Sequence, residues 1–360
     1  MRLCRSQNKI GRMTTTNSNR NQHAVTAAPP RGGEIKAVLA TVQYRDELLS
    51  ALRDAFAPAA FIHLPPGDAS GIAEALKTVD VAVLQADLDD RHLRAPHLRW
   101  VHCDHAGLNK SAKPEVFERG LIVTGSVGRA APALAQHVFY FALGLTYDAP
   151  GLEKMKHRKE WRGVVDFSER RSLVSKTMGI IGLGSTGMET AKLAKAFGMR
   201  VLAYRRSASD PVDHVDLLYC AERGERIDPI LVESDIVVLS IRLTDATYHM
   251  IGKAELERMK RSAFLINIAR GAVVDEAALV EALHAGTIAG AGLDVFEQEP
   301  LPPDAAIWSA PNVMITPHAT AEMPDLQANS LDIIRDNIAR YRQGREMRHQ
   351  LTVDDVYSRT

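Results

Sequence analysis

The sequence predicts an α/β fold that contains two parallel β-sheets, each covered by helices. Short apolar segments alternate with helical patterns over residues 34–124, and a second alternation of the same kind begins at Thr177. This alternation is typical of parallel sheets, because the crossover between parallel strands is usually a helix. Two such units within 360 residues predict two domains with a cleft between them.

The composition excludes several other classes of protein. Hydrophobic residues make up 46% of the chain and charged residues 24%, as in an ordinary globular protein. No apolar run reaches the ~20 residues that a membrane-spanning helix needs. Residues 1–33 hold six basic residues and no acidic one, so 38 basic and 44 acidic residues remain beyond them. This acidic remainder argues against nucleic acid as a partner, since phosphate binding needs clustered cations.

The cysteines predict free thiols and no metal centre. Cys4, Cys103 and Cys220 are widely separated, and no Cys or His pair has the spacing of a zinc site. Free thiols are typical of a reducing compartment, so we expect a cytoplasmic protein.

Residues 1–33 predict a disordered N-terminal tail. The segment is rich in Thr, Asn, Gln and Arg and lacks the apolar core of a secretory signal. Two alternatives stay open, namely an organelle transit peptide and an extension upstream of a true start at Met13.

The apolar segments give eleven predicted strands. In the first unit they are Ile35–Ala40, Ala59–Leu64, Val79–Leu84, Trp100–His102 and Leu121–Thr124. In the second unit they are Met178–Gly182, Val201–Tyr204, Ile236–Ser240, Phe264–Asn267, Gly290–Val295 and Val313–Thr316. Helical spacing predicts helices over Arg45–Phe56, Ala133–Tyr147 and Glu189–Phe197.

A glycine-rich turn lies between a predicted strand and a predicted helix. Gly182, Gly184 and Gly187 form the pattern G-x-G-x-x-G. The first glycine allows a tight turn, the second allows the backbone to approach a diphosphate, and the third allows close helix–strand packing. Such a pattern also occurs in ordinary turns, but this context favours a dinucleotide site. Ser185 and Thr186 lie within the turn and are assigned to it.

The strand after this turn ends in basic residues. Dinucleotide sites that bind NAD usually carry an acid here, which accepts hydrogen bonds from the adenosine ribose. The sequence instead has Arg205, Arg206 and Ser207. Guanidinium groups cannot accept those bonds but suit a 2′-phosphate, so we predict a preference for NADP. A solvated arginine pair with NAD as the cofactor is the alternative.

The chain resembles the D-isomer-specific 2-hydroxyacid dehydrogenase family over roughly residues 35–340. The resemblance rests on ordered blocks rather than on one motif. These blocks are Thr177–Gly184, Ser234–Leu239, Met259–Asn267, Ala269–Asp275, Gly292–Pro300 and Pro311–His318. The resemblance implies reversible hydride transfer between NAD(P)H and a small 2-oxo acid, of the glyoxylate or hydroxypyruvate type.

The catalytic arginine, glutamate and histidine of the family correspond to Arg270, Glu299 and His318. A planar guanidinium can bind the substrate carboxylate and polarise the adjacent ketone. Histidine can donate a proton near neutral pH, and a carboxylate partner orients the imidazole. The resemblance therefore implies that His318 is the general acid/base, Glu299 its partner and Arg270 the substrate anchor.

Two further assignments follow from the resemblance. Asp294 corresponds to the position that contacts the nicotinamide carboxamide. Ala106, Gly107 and Leu108 correspond to the loop whose backbone N–H groups hold the substrate carboxylate.

The resemblance also implies the architecture and the assembly. Both domains would be doubly wound parallel sheets, with a Rossmann cofactor domain inserted into a flavodoxin-like substrate domain. We expect residues 34–132 and 319–360 to form the substrate domain, residues 133–318 to form the dinucleotide-binding domain, and the protein to be a homodimer.

Three other functions were weighed. Glu299 argues against the family's formate dehydrogenases, which carry glutamine there, whereas phosphite dehydrogenase-like chemistry keeps the glutamate and stays open. The third is a cofactor-sensing protein like the transcriptional corepressors that share this fold. The complete set of Arg270, Glu299 and His318 favours an enzyme.

Overall fold

The computed structural model describes residues 32–161, 172–207 and 212–359. The predicted tail therefore lies outside the described residues, except for Gly32 and Gly33. The helices are α1 Asp46–Phe56, α2 Ala69–Ala75, α3 Asp90–Arg94, α4 Pro114–Glu118, α5 Ala131–Thr146, α6 Ala149–Arg158, α7 Ser185–Ala196, α8 Asp228–Glu233, α9 Lys253–Arg258, α10 Glu276–Ala285 and α11 Leu326–Arg342. In the described part of the chain, no helix is both long and apolar enough to cross a membrane.

The first sheet is parallel and has the strand order β2-β1-β3-β4-β5, which is the flavodoxin-like order. Its strands are β1 Ala37–Ala40, β2 Ala60–His63, β3 Val81–Leu84, β4 Trp100–Cys103 and β5 Ile122–Gly125. Trp100 is fully buried and stacks on Tyr341 of α11, with 5.4 Å between the ring centroids. The C-terminal helix therefore completes the core of the first sheet.

The second sheet is also parallel and has the order β12-β11-β10-β9-β6-β7-β8. Its strands are β6 Thr177–Ile181, β7 Arg200–Arg205, β8 Leu217–Cys220, β9 Ile236–Leu239, β10 Phe264–Asn267, β11 Gly290–Leu293 and β12 Val313–Ile315. Strand β8 was not predicted. This strand lies at the edge of the sheet, pairs only with β7, and leaves 44% of Leu217 exposed. Its pattern of burial therefore differs from that of the buried central strands.

Helix α5 follows the first sheet along the chain but packs against the second. Phe141 of α5 lies directly over Gly292 of β11, where a Cβ would come within 2.5 Å of the ring. Helix α11 returns to the first sheet and packs there through Leu331, Ile334 and Ile338. This packing supports the proposed insertion of residues 133–318 between the two parts of a substrate domain.

Candidate active site

His318 and Glu299 are in hydrogen-bonding contact at the carboxyl end of the second sheet. His318 follows β12, and its Nδ1 lies 2.7 Å from Oε2 of Glu299. The other carboxylate oxygen of Glu299 accepts a hydrogen bond from the Phe296 amide at 3.0 Å. The main-chain amide of His318 donates to the carbonyl oxygen of Asp294 at 2.9 Å. Nδ1 is thus held by the carboxylate, which leaves Nε2 to exchange a proton with a substrate.

Arg270 lies in the turn after β10, with its guanidinium at the boundary between the two sheets. Nη1 donates to the Ala269 carbonyl at 2.6 Å, and Nε donates to Oδ1 of Asn109 at 3.4 Å. Burial lowers the pKa of Arg270, while the carboxylates of Glu299 and Asp87 raise it. An arginine stays protonated under such shifts, so the site keeps a buried positive charge.

The loop after β4 faces this guanidinium. A Cβ at Gly107 would overlap Nη2 of Arg270, so any larger residue at this position would displace the guanidinium. The amides of Ala106, Gly107 and Leu108 donate to no acceptor among the described residues. The side chain of Leu108 is fully buried in the core of the first sheet, which anchors the loop. Free N–H groups beside a guanidinium make a site suited to a carboxylate.

The turn of Arg270 and the loop of Glu299 are in direct backbone contact. A Cβ at Gly271 would overlap the main chain of Phe296. On the same loop, Oε1 of Glu297 lies 2.8 Å from Nε2 of His249. Glycine at position 271 thus allows the arginine and the glutamate to share one crevice.

Asp294 is almost fully buried beneath the His318 loop. Its two carboxylate oxygens accept hydrogen bonds from the hydroxyls of Thr316 at 2.5 Å and Thr320 at 2.7 Å. Nε2 of His137, on α5, lies 3.1 Å from the Thr316 hydroxyl. Asp294 therefore positions the segment that carries His318, and its predicted contact with a nicotinamide remains a prediction.

The glycine-rich turn has the geometry of a diphosphate site. Gly182 has φ +104°, and a Cβ there would lie 2.5 Å from the Ser240 carbonyl oxygen. A Cβ at Gly187 would overlap the Gly182 carbonyl oxygen, whereas nothing lies within 4 Å of one at Gly184. Helix α7 begins at Ser185 without a side-chain cap, so its first amides can meet an anion. These residues fit a dinucleotide.

The first sheet also reaches this turn. A Cβ at Gly128, in the loop after β5, would lie 2.8 Å from Oγ of Ser185. Thr186 lies in the first turn of α7, where its carbonyl oxygen accepts the Thr190 hydroxyl at 2.8 Å. The glycine-rich turn, Arg270 and the loop of Gly107 therefore line one crevice between the two sheets.

Comparison with known proteins agrees with this geometry. The profile of the D-isomer specific 2-hydroxyacid dehydrogenase NAD binding domain matches residues 139–320, which is half of the chain. A glyoxylate reductase from Korarchaeum cryptofilum is 37% identical over 283 residues, which cover 76% of this chain and 82% of the relative. The chain belongs to the D-isomer specific 2-hydroxyacid dehydrogenase family. The predicted family and enzyme class are thereby confirmed.

Two solved structures share the fold of this dehydrogenase. One is a D-isomer specific 2-hydroxyacid dehydrogenase from Xanthobacter autotrophicus Py2 in complex with NADPH and MES. It is 27% identical with a TM-score of 0.75, and the match covers 89% of this chain and 98% of that one. The other is an NADPH-dependent glyoxylate/hydroxypyruvate reductase from Sinorhizobium meliloti in complex with NADP and sulfate. It is 27% identical with a TM-score of 0.73, and the match covers 88% and 98% of the two chains. The predicted pair of parallel α/β domains, one of them a Rossmann cofactor domain, is confirmed.

In this dehydrogenase, the basic residues that follow the glycine-rich turn and its helix lie at the end of β7. Nε of Arg205 donates to the Ser207 carbonyl at 2.8 Å. Nη1 of Arg206 reaches Oδ1 of Asp355, in the C-terminal segment, at 3.3 Å. Asp355 also pairs with Arg242, which follows β9, at 2.6 Å. No sequence pattern pointed to Asp355, because this contact joins residues 149 positions apart.

A buried polar network lies beneath the loops after β4 and β5 and was also not predicted. The imidazole of His102 is fully buried between the hydroxyls of Thr124 at 2.9 Å and Ser126 at 3.0 Å. The Ser126 hydroxyl donates to Asp104 at 2.7 Å, and Asp104 pairs with Arg129 at 3.0 Å. Burial lowers the pKa of His102 to about 4, so the ring is neutral at pH 7. The network ties the loops after β4 and β5 to each other.

Proposed function

We propose that this dehydrogenase reduces glyoxylate or hydroxypyruvate with NADPH, with Arg270, Glu299 and His318 as its catalytic residues. The proposal rests on one observation, that the side chains of Arg270, Glu299 and His318 lie in one crevice. The Arg270 guanidinium lies against Gly107, and the His318–Glu299 pair follows the neighbouring loop. The glyoxylate reductase activity in the name of the archaeal relative supports the substrate class.

The substrate carboxylate would bind between Arg270 and the amides of Ala106, Gly107 and Leu108. The same guanidinium would polarise the adjacent carbonyl, since its planar fork can contact a carboxylate oxygen and the ketone oxygen together. A small acid without a bulky side chain needs no further recognition beyond this anchor. Burial of Arg270 strengthens the attraction, because charges interact more strongly away from water.

His318 would supply the proton. A bound nicotinamide cofactor supplies the hydride, which adds to the carbonyl carbon. Negative charge then develops on the carbonyl oxygen, and Nε2 of His318 transfers its proton there, so that the carbonyl becomes a hydroxyl. The Glu299 carboxylate holds Nδ1 and stabilises the charged ring before this transfer.

Arg205, Arg206 and Ser207 would favour NADP over NAD. They lie at the end of β7 and directly after it, and they supply two guanidinium groups and a hydroxyl where an adenosine ribose lies in a doubly wound fold. NADPH or NADP is present in the two related solved structures. Binding of NAD stays open as the alternative.

We also propose a homodimer in the cytoplasm. Helices α5, α6 and α7, together with the turn between α5 and α6, leave large apolar side chains in solvent, which a second copy could cover. These are Tyr140, Tyr147, Leu152 and Met188, with exposed fractions of 54, 43, 38 and 41%. Light scattering on the purified protein measures the mass, and a monomer would contradict the proposal.

Oxidation of NADPH, followed by absorbance, tests the proposed reaction with glyoxylate, hydroxypyruvate, pyruvate and phenylpyruvate. We expect turnover with the first two acids and its loss in His318→Ala, while cofactor binding persists. Cofactor binding without turnover of any acid would instead indicate a sensor. NAD reduction by phosphite would indicate phosphite dehydrogenase-like chemistry. Unchanged turnover in His318→Ala would refute the assigned proton donor.

A further inference from the structure

The last residues of the chain form a strap that contacts both sheets, which we define as residues 350–359. At its start, the Leu351 amide donates to the Val123 carbonyl of β5 at 2.8 Å, and the Leu351 side chain packs in the core of the first sheet. Near its end, Tyr357 is buried in the core of the second sheet, beside Tyr248. The strap is therefore built into the fold at both ends.

Asp355 lies at the middle of the strap and binds two arginines of the cofactor domain. Its Oδ2 lies 2.6 Å from Nη1 of Arg242, and its Oδ1 lies 3.3 Å from Nη1 of Arg206. The amide of Thr352 also donates to Oδ2 at 2.9 Å. Only 3% of the Asp355 side chain is exposed, although 54% of Arg206 is. The carboxylate is thus held in place, while one of its arginines is open to solvent.

Asp355 carries a negative charge in this setting. Burial raises its pKa, but Arg242, the Thr352 amide and Arg206 outweigh that effect and hold the pKa below its usual range. Asp354 adds a second, exposed carboxylate 3.9 Å from Arg206. A further anion that approached Arg206 would meet this negative charge.

The two arginines flank the glycine-rich turn. Arg206 follows β7 and Arg242 follows β9, the two strands on either side of β6. Gly182 follows β6 directly, and the adenosine half of a dinucleotide lies over this edge in doubly wound folds. The only chemical difference between NADP and NAD is the 2′-phosphate on that adenosine. Arg206 is thus placed where it would discriminate between them.

We propose that Asp355 is a cofactor-specificity residue that opposes the 2′-phosphate. Its carboxylate pairs with Arg206 and Arg242, so a 2′-phosphate bound to Arg206 would compete with the strap for that guanidinium, whereas an unphosphorylated adenosine would not. This inference rests on the proposed function, since it requires a dinucleotide at the glycine-rich turn. It adds that the selectivity is set by a balance between the basic residues after β7 and an acid far along the chain.

The test is the binding of 2′,5′-ADP and 5′-AMP to the purified full-length protein by calorimetry. Asp355→Asn keeps an oxygen for the Thr352 amide but removes the charge. We expect the Kd for 2′,5′-ADP to fall about tenfold and that for 5′-AMP to stay the same, since one like charge near a phosphate is worth about that factor. Asp245→Asn is the matched control. Asp245 holds the strap through Ser358 at 2.8 Å but contacts neither arginine. The ratio of the Kd for 2′,5′-ADP to the Kd for 5′-AMP should therefore be the same in Asp245→Asn as in the wild-type protein.

A second measurement uses the unchanged protein, in case the Asp355 variant folds poorly. Hydrogen exchange in residues 350–359 should be faster with saturating 2′,5′-ADP than with 5′-AMP. An unchanged ratio of Kd values in Asp355→Asn, or equal exchange with both nucleotides, would overturn the role of Asp355. A wild-type protein that binds 5′-AMP as tightly as 2′,5′-ADP refutes only the NADP preference. Binding of neither nucleotide overturns the site and this inference together.

Discussion

Gly107 and Arg270 are in contact across the boundary between the two sheets. The guanidinium occupies the space in which any other residue at position 107 would place its Cβ. Gly107 follows β4 of the first sheet, and Arg270 follows β10 of the second. The arginine is therefore positioned by both halves of the protein, which makes its placement sensitive to a single methyl group.

Gly107→Ala should lower kcat/KM about 100-fold. The added methyl group displaces the Arg270 guanidinium, and small misplacements of a positioning group have effects of this size. The thermal midpoint should change little, because the loop lies at the surface of the crevice. Gly67→Ala is the control, since a Cβ at Gly67 meets nothing within 4 Å. Steady-state kinetics give kcat/KM for both variants, and equal values would contradict the assigned role of Gly107.

Glu299→Gln should lower kcat on the order of 100-fold and leave cofactor binding intact. The amide oxygen can still accept the Phe296 hydrogen bond, but the charge that stabilises a protonated His318 is lost. Glu322→Gln, at an exposed position near the crevice, is a control for the change of charge alone. Kinetics at fixed pH measure the effect, and full activity in Glu299→Gln would remove the glutamate from the catalytic set.

The proposed catalytic residues could be found in the sequence because each lies in a short local block next to a strand. Arg270 follows β10, and His318 follows β12, so their proximity follows from parallel strands that end at one edge of a sheet. The glycine-rich turn is likewise a local signal, since Gly182 and Gly187 are required by contacts within a few residues of each other. Eleven of the twelve strands in the described part of the chain overlap predicted ones, and β8 alone was missed.

The contacts that could not be predicted join distant parts of the chain. Asp355 meets Arg206 only because the strap returns to the second sheet, and no periodicity encodes that path. The His102 network depends on the register of β4 against β5, which places His102 beside Thr124. A histidine in an apolar strand is equally compatible with many registers. The structure was therefore needed to find both.

Gly184→Ala should weaken cofactor binding without loss of stability, whereas Gly182→Ala should lower the stability of the fold. At Gly184 a Cβ meets nothing, so the protein should keep its stability but lose affinity for the cofactor, since the methyl group fills the space for the diphosphate. At Gly182 the positive φ and the Ser240 carbonyl should cost about 1–3 kcal/mol of folding free energy. Thermal unfolding and calorimetric titration with NADPH separate the two effects. Unchanged NADPH binding in Gly184→Ala would contradict the diphosphate site.

Arg205→Asp should raise the Kd for NADPH about tenfold or more and leave that for NADH unchanged or lower. Removal of a guanidinium forfeits a charge-assisted hydrogen bond to the 2′-phosphate, and the new carboxylate can accept bonds from ribose hydroxyls. Arg94→Asp, an exposed position in the first sheet's domain, controls for the change in net charge. Fluorescence titration with both cofactors gives the ratio of the Kd for NADPH to the Kd for NADH. Equal ratios in the two variants would reject the phosphate-binding role of Arg205.

The stability of the protein should fall as the pH drops from about 6.5 to about 4, in part because of His102. Burial lowers the pKa of His102 from 6.5 to about 4, so over this interval the unfolded state binds a proton that the folded state does not. Stability therefore rises with pH across the window, by about 3 kcal/mol in total from this residue. His102→Gln cannot titrate and should show a shallower decline in the free energy of unfolding, measured in urea at pH 7 and 4.5. His349, whose pKa burial also lowers to about 4, stays in both proteins and contributes to the remaining slope. Parallel declines in the two proteins would show that His102 is not a source of the acid sensitivity.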